Sequence, residues 1–454
     1  MKVAFVVTRF GDEINGGAEH HCKQFVERMK DKWDIEVLTT CALDYYQWEN
    51  HFPGGRLRHN GYTVNRFPVD HTRPVNTFGN IYNTVINLHL LKKQNLDLNL
   101  GTEEHIKAIH RSVHQTPVAH EIFSDRQLIP ENYVSGLEEI WMRFQGPVST
   151  AMLNYIEKHE SDFDVFFFFS YNYASTFYSI PLVSKKSVLI PTAHEEACLA
   201  FDLFKPMFKQ VSYFLFNTPA EKNLLERIYP DISEAPGEIC GAGIDTIKVP
   251  HNSLDIVREY GLKGKDYLVY VGRLDESKGL SRLFRNFLSY RHQHQEPLKL
   301  VLLGKCYMDL PNHPDILFPG FVSDQTKHAI VSHAKLFIMP SMFESLSLSL
   351  LEAWSLGVPA LVNGDSDVLK DHCHLSHGGF YYTDDETFQG LLHQLLKHDQ
   401  LLKGLGIQGQ RYVRKNYTWD EVLHKVEGAA EFISKKNSQA PVSRQWIEGI
   451  SAPV

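Results

Sequence analysis

No stretch of this chain is apolar for long enough to cross a bilayer: the densest run, VFFFF at 165–169, is far short of the roughly 20 residues a spanning helix needs. The start, MKVAFVVTRFGDE, has neither the apolar core nor the cleavage site of a signal peptide. Cysteine is sparse, and the six present (Cys22, Cys41, Cys198, Cys240, Cys306 and Cys373) form no CxxC pair. A disulfide framework is thereby excluded, and reduced, mostly buried thiols in a reducing compartment are implied. There is no excess of positive charge either. The 46 basic residues against 54 acidic ones give a net charge of -8, so nothing draws the whole chain to nucleic acid or anionic lipid. Any grip on phosphate must be local. These absences predict a soluble, cytoplasmic protein, at most peripheral to a membrane; they leave its oligomeric state open.

What is present is a globular chain of 454 residues, 43% hydrophobic, long enough for two or three domains. Apolar runs of strand length alternate with segments of helical period. KVAFVVT, DIEVLTT, YTVNRF, DVFFFFS, SVLIPT and SYFLFNT form one series, and YLVYVG, LKLVLLG, LFIMPS and VPALVNG a second. Continuous Val, Ile, Leu and Phe runs suit strands covered on both faces, so each series predicts a doubly wound parallel α/β domain. The first domain is expected over 1–245, the second over 246–417, with Gly, Pro and Asn breaking the pattern at 241–252. Residues 418–454 are expected to form a helix that crosses back to the first domain, followed by a tail. Regularity falters at 71–145, which is expected to be a helical insertion or lid. Thr218 with Glu221, Thr383 with Glu386, and Thr418 with Glu421 each predict a helix N-cap.

Ligands of open parallel sheets collect at the carboxyl ends of the strands. The loop GRLDESKG places Arg273 and Lys278 after one such strand, with Gly272 at the turn. The stretch PSMFESLSLSLLEAWSLGVP repeats the geometry: strand, loop, helix. Backbone N–H groups at Leu346, Ser347 and Leu348 would point out of that helix start, where an anion is favoured. Two cations and a helix start aimed at one crevice describe a diphosphate site. Carboxylates repel phosphate, so the two acids must reach past it: Glu352 to a ribose diol, Glu344 to sugar hydroxyls. Singly, each of these residues is an ordinary surface charge; their conjunction at strand-to-helix junctions of one domain is not.

These motifs resemble the retaining glycosyltransferases of family 4, bacterial type, with the GT-B architecture of two Rossmann-like domains facing each other across a deep cleft. The matching residues are Gly272-Arg273 with Lys278-Gly279, and the pair Glu344 and Glu352 eight apart. RFGDEINGGAEHH resembles the family's Gly-Gly-Ala-Glu loop, IPTAHEEACLAFDLF its His segment, and FLFNTPAEKNLLERI the strand and helix that follow. The resemblance implies that Arg273 and Lys278 bind the diphosphate, Glu352 the ribose and Glu344 the donor sugar. His194 would lie beside that sugar from the opposite domain, and Gly16 and Gly17 would admit backbone to the donor phosphate and the acceptor. Phe321 and Val322 would contact the base mainly through backbone. Where many members carry glycines between the two acids, this chain has Ser345-Leu346-Ser347, which narrows the approach yet adds hydroxyls that can donate.

The implied reaction moves a sugar from a nucleoside-diphosphate donor, UDP or GDP, to a saccharide or glycolipid acceptor in glycan biosynthesis. Breaking the anomeric bond leaves negative charge on the diphosphate, so cations and amides at the leaving oxygen supply the largest help. Two cations and a helix start do the electrostatic work of a metal, so none is required. Retention with front-face attack is implied by the family; a double displacement through Glu344 ranks lower. An epimerase, a phosphorylase or a non-catalytic nucleotide-sugar binder on the same architecture are the competing readings. Of the 24 histidines, His372, His374 and His377 with Cys373 have ligand chemistry but not the spacing of a zinc finger or ribbon. Packing or solvent is the expected setting of both His20 and His21: His21 shares the apolar side of the first helix, and a place in the cleft near Gly17 is the alternative for His20.

Overall fold

A computed structural model describes residues 1–14, 16–93 and 130–439. Two sheets organise it. In the first, β1 (Lys2–Val6), β2 (Asp34–Thr40), β3 (Gly55–His59), β4 (Tyr62–Phe67), β5 (Val165–Phe169), β6 (Ser187–Ile190), β7 (Tyr213–Phe216) and β8 (Gly237–Ile239) run in the order β3-β4-β2-β1-β5-β6-β7-β8. Only β3 is antiparallel to its neighbour. In the second, β9 (Tyr267–Val271), β10 (Lys299–Leu303), β11 (Ile316–Gly320), β12 (Leu336–Met339), β13 (Ala360–Asn363) and β14 (Gly379–Tyr382) run β11-β10-β9-β12-β13-β14, all parallel. Every strand-like run of the sequence is a strand here, and the fold is the expected pair of doubly wound α/β domains.

Continuous apolar strands are central because they are buried on both faces. All five residues of β5 are buried, and Phe167 stacks on Phe5 of β1 at 5.1 Å and on Trp33 at 5.9 Å. The four strands that the apolar pattern did not announce are short or peripheral. Strand β3 is exposed throughout and β8 has three residues. Strand β11 carries Pro319, which an edge strand tolerates, and β14 opens on Gly379, where an added Cβ would stand 2.3 Å from the Ala360 carbonyl oxygen.

Two expectations need correction. The cap of the helix Asp385–Leu396 is Asp384, in a capping box with Thr387, because the Asp384 carboxylate reaches the Thr387 N–H at 2.7 Å. Thr383 stands one residue too early. The segment 71–145 is also more than an insertion: the helices Val75–Lys93 and Pro130–Gln145 pack on each other and bury Ile81, Val85, Ile140, Trp141 and Phe144 in the core of the first domain. The stretch between them lies outside the described residues.

The chain passes between the domains twice, and the two passages touch. The Ile244 N–H donates to the Tyr417 carbonyl at 2.7 Å. An added Cβ on Gly241 would meet the Tyr417 ring at 2.9 Å, and one on Gly243 the Trp419 ring at 2.3 Å, so only glycine permits this crossing. The helix Trp419–Gln439 then returns to the first sheet, where Val422, Val426, Ala429, Ala430 and Ile433 are wholly buried against residues that include Phe5 and Phe167. Val426→Asp would place a carboxylate there without a partner and should cost about 3 kcal/mol or more. Urea unfolding followed by tryptophan fluorescence checks this; an unchanged midpoint would contradict the packing.

Candidate active site

Four loops meet where the carboxyl ends of the strands of both sheets face each other. From the second domain come 272–279, after β9, and 340–347, after β12. A close approach lets them meet: Gly279 has φ +73°, and a Cβ there would lie 2.5 Å from the Pro340 carbonyl oxygen. With the loops this near, the Lys278 ammonium sits 2.8 Å from the Glu344 carboxylate. Their side chains are 24% and 11% exposed. Arg273 is 3.2 Å from Asp275, and its guanidinium lies over the Tyr45 ring of the first domain at 5.1 Å. Gly272 makes room for a neighbour: a Cβ would stand 2.6 Å from the Tyr270 hydroxyl, which donates to the Arg273 carbonyl at 2.7 Å.

The helix Leu348–Ser355 starts from Ser347 in the left-handed region, φ +64°, where glycine is the usual occupant. The Ser347 hydroxyl is buried and has no hydrogen-bond partner among the described residues. No described acceptor takes the N–H of Leu346, Ser347 or Leu348. The Leu346 carbonyl is held from behind by His372, whose Nε2–H donates to it at 2.9 Å while Nδ1 lies 3.1 Å from the Tyr412 hydroxyl. Burial pulls His372 down to about 4, so it is neutral and Nδ1 accepts. His372 thus positions this loop. Cys373 is buried, and His374 lies against Tyr381.

Glu352, one turn into that helix, pairs with Lys327 at 2.9 Å, and Lys327 also reaches Asp324 at 3.0 Å. Burial alone would lower the Lys327 pKa, but the two carboxylates outweigh it and hold it above its ordinary value. His20 faces this trio from across the cleft. It is solvent-accessible yet flanked by both walls, and loss of hydration lowers its pKa, against the pull of Glu352. His21, on the apolar side, packs edge-on to Phe25 at 4.4 Å, and burial pushes it down to about 3. Phe321 is 67% exposed with the Lys305 ammonium 5.6 Å from its ring, whereas Val322 is half-buried against the second core.

In the first domain the Gly-Gly-Ala-Glu loop does something its motif did not announce. Glu19 is buried and bonds Arg9, whose Nε donates to it at 2.9 Å. A Cβ on Gly16 would stand 2.1 Å from the Glu19 carboxylate and 3.2 Å from the Arg9 guanidinium, so a larger residue there would have to displace that pair. A Cβ on Gly17 would meet nothing within 4 Å. Arg9 also lies 5.4 Å from the Tyr45 ring, so Tyr45 contacts Arg9 of its own domain and Arg273 of the other. Arg9 opens the stretch RFGDEINGGAEHH without having been singled out as a site residue, and Tyr45 lies in no motif of the sequence.

His194 follows β6. Its ring is 5.6 Å from Phe343 of the second domain, its Nε2 3.9 Å from Glu196, and its buried Nδ1 has no partner among the described residues. Just before it, Thr192 has φ +52°. Glu221 holds this strained turn by accepting the N–H groups of Ala193 and Asn217, each at 2.5 Å. Thr218 caps the helix Pro219–Ile228, to which Glu221 belongs, by accepting the Glu221 N–H at 3.1 Å, and donates to the Ser345 carbonyl of the other domain at 3.3 Å. A narrow pocket of about 30 Å³ between His194 and Glu344 lies at the centre of these contacts. A larger cavity, about 550 Å³, lies beside the domain crossing and shares no lining residue with it.

Full burial outweighs the two N–H donors and pushes the Glu221 carboxyl from 4.5 up to about 8. Between those values the folded state holds more proton than the unfolded one, so stability falls as pH rises through that window. Glu221→Gln should flatten this slope in urea melts taken across the window. An unaltered slope would mean that Glu221 is ionised in the folded protein at neutral pH.

A family model, glycosyl transferases group 1, matches residues 254–411. An uncharacterized glycosyltransferase of Methanocaldococcus jannaschii is 24% identical over 246 residues, which cover 50% of this chain and 58% of that protein. The chain therefore spans little more than half of that relative. Sucrose-phosphate synthase from Thermosynechococcus elongatus superposes with a TM-score of 0.63 at 12% identity, covering 96% of this chain and all of the other. HepE of Anabaena, solved with UDP and glucose, gives a TM-score of 0.60 at 12% identity over 96% of this chain and all of its own. The fold is GT-B, and the glycosyl transferases group 1 match falls on the second domain and carries Arg273, Lys278, Glu344 and Glu352.

Proposed function

We propose that this protein is a glycosyltransferase that moves a sugar from a nucleoside-diphosphate donor to a saccharide or glycolipid acceptor, with retention of configuration. The observation that carries the reading is the meeting of the loops 272–279 and 340–347. These loops and the helix start that follows carry Lys278, which pairs with Glu344 across them, together with Arg273, the Ser347 hydroxyl without a partner among the described residues and the N–H groups of Leu346 and Leu348. The proposal takes them as the lining of one crevice. A pyrophosphate is the ligand whose charge and oxygens match that set. In this structure Glu344 neutralises Lys278, and a bound diphosphate would share that ammonium, leaving the Glu344 carboxylate to accept hydroxyls of the donor sugar. Glu352 with Lys327 would hold the ribose diol, and Phe321 and Val322 would border the base. UDP and GDP are the proposed carriers; the Anabaena structure with UDP and glucose supports UDP.

In this mechanism the departing diphosphate gains charge against Lys278, Arg273 and the loop amides, which need no reorientation at that moment. Those groups supply the charge compensation a divalent metal would bring, so transfer is proposed to be insensitive to EDTA. His194, held by Glu221, would bond the sugar or steady the positive charge developing on its ring. The acceptor attacks from the face the leaving group departs, and a phosphate oxygen takes its proton. The acceptor lies on the first domain, whose helices Val75–Lys93 and Pro130–Gln145 are core. Removal of all of 71–145 would therefore unfold that domain as well as alter acceptor use. A lipid-linked acceptor would bring the protein to a membrane surface; no helix among the described residues is long and apolar enough to cross one.

Lys278→Ala should lower sugar release from the preferred donor about 10²–10³-fold, with the far-UV circular dichroism unchanged. Chromatography of the products from a panel of UDP- and GDP-sugars checks this. Turnover equal to the parent protein would overturn the reading, and an epimerised or phosphorolysed product would replace it with another reaction on the same fold.

A further inference from the structure

The cavity of about 550 Å³ beside the domain crossing takes no part in the site described above. It falls within the size range of small-molecule sites. Its walls come from both domains and from the returning helix: Pro219 and Cys240 on one side, the helix Asp399–Asn416 on another, Lys425 on a third. Arg411 and Lys415, four apart on one face of that helix, both line it, and neither has an ion-pair partner among the described residues. Like charges at this spacing repel, which offsets part of what Lys415 in the last turn gains from the helix dipole, and an anion that neutralised both would remove that cost. Lys425 adds a third cation, and Glu421, 3.5 Å from it, is the one acid of the lining. Gln408 and Asn416 supply neutral hydrogen-bonding groups for hydroxyls.

The same cavity is joined to the loop 340–347. Tyr412 and Tyr417 line it, with their hydroxyls 3.3 Å apart. Since the neutral His372 donates through Nε2 to Leu346, its Nδ1 accepts from Tyr412, and Tyr412 in turn accepts from Tyr417. The Tyr417 carbonyl also takes the Ile244 N–H at the domain crossing. Hydrogen bonds therefore link the Tyr417 hydroxyl, at the cavity wall, through Tyr412 and His372 to the carbonyl that fixes the N-terminal turn of the helix Leu348–Ser355, and the backbone of Tyr417 ties the same residue to the crossing.

We propose that this cavity binds a small phosphate monoester through Arg411 and Lys415, and that its occupancy changes donor affinity through Tyr412, His372 and Leu346. Binding in the cavity is independent of the transferase reading; its coupling to donor affinity rests on that reading. Arginine favours phosphate over a simple halide because its fork meets two oxygens at once.

Glycerol phosphate, titrated into the full chain, should raise the melting temperature by about 2 °C or more in the parent protein and in Lys278→Ala. The rise should vanish in the double variant Arg411→Ala, Lys415→Ala. No rise in the parent, or a rise that survives in the double variant, overturns the site. Calorimetric titration of UDP tests the coupling: saturating glycerol phosphate should shift UDP affinity several-fold in the parent and leave it unchanged in Tyr412→Phe, which keeps the melting response. A shift that persists in the double variant would be direct competition at the donor crevice and would overturn the coupling, as would an equal shift in Tyr412→Phe. If UDP fails to bind any form while the melting response stands, the transferase reading falls and the cavity does not.

Discussion

The near-contact of two backbones at Gly279 and Pro340 is the constraint on which the candidate site depends. A strand end and a neighbouring strand end in a parallel sheet are separated by the width of the ladder, and their loops ordinarily diverge into separate helices. Here a left-handed glycine folds the first loop down onto the second, and the lysine just before it reaches the glutamate of the other. Any side chain at 279 would force the loops apart and dissolve the ion pair. The chemistry at this crevice is therefore set by a steric allowance before it is set by charge.

Around that contact, the buried polar groups fall into two kinds. Some are saturated: Glu19 by Arg9, Glu221 by two backbone N–H groups, His372 by a carbonyl and a hydroxyl. Such networks are costly to break, and each holds a loop that faces the cleft. Others have no partner among the described residues, the Ser347 hydroxyl and the His194 Nδ1 among them. Buried polar atoms are rarely left so unless something outside the chain satisfies them. Tyr45, touching an arginine of each domain, and Thr218, bonded to Ser345, are the points where the frames of the two halves meet.

The apolar runs announced ten of the fourteen strands because full burial requires continuous hydrophobicity, which is a local property. It missed β3, β8, β11 and β14 because edge and short strands carry no such requirement. The same limit explains the segment 71–145. Its helices are polar on the side away from the core, and composition averaged over the segment hid the buried stripe formed by Ile81, Val85, Ile140 and Phe144. The motif residues were legible one by one, but their pairing was not. Nothing in the spacing of Glu344 and Glu352 says that each lies against a lysine, or that those lysines are Lys278 and Lys327.

By itself the sequence determined the fold class and the identity of the residues at the strand-to-helix junctions. These follow from periodicity, capping and glycine placement over a few neighbouring residues. Only the tertiary structure decided that Gly16 lies against the Arg9–Glu19 pair, that Asp384 and not Thr383 caps its helix, and that Tyr45 touches both halves. It alone placed Arg411 and Lys415, which have no ion-pair partner among the described residues, around a cavity at the crossing. Each of these depends on which distant segments the packing brings within a few ångströms, and that is a property of the whole chain's burial, carried by no local pattern.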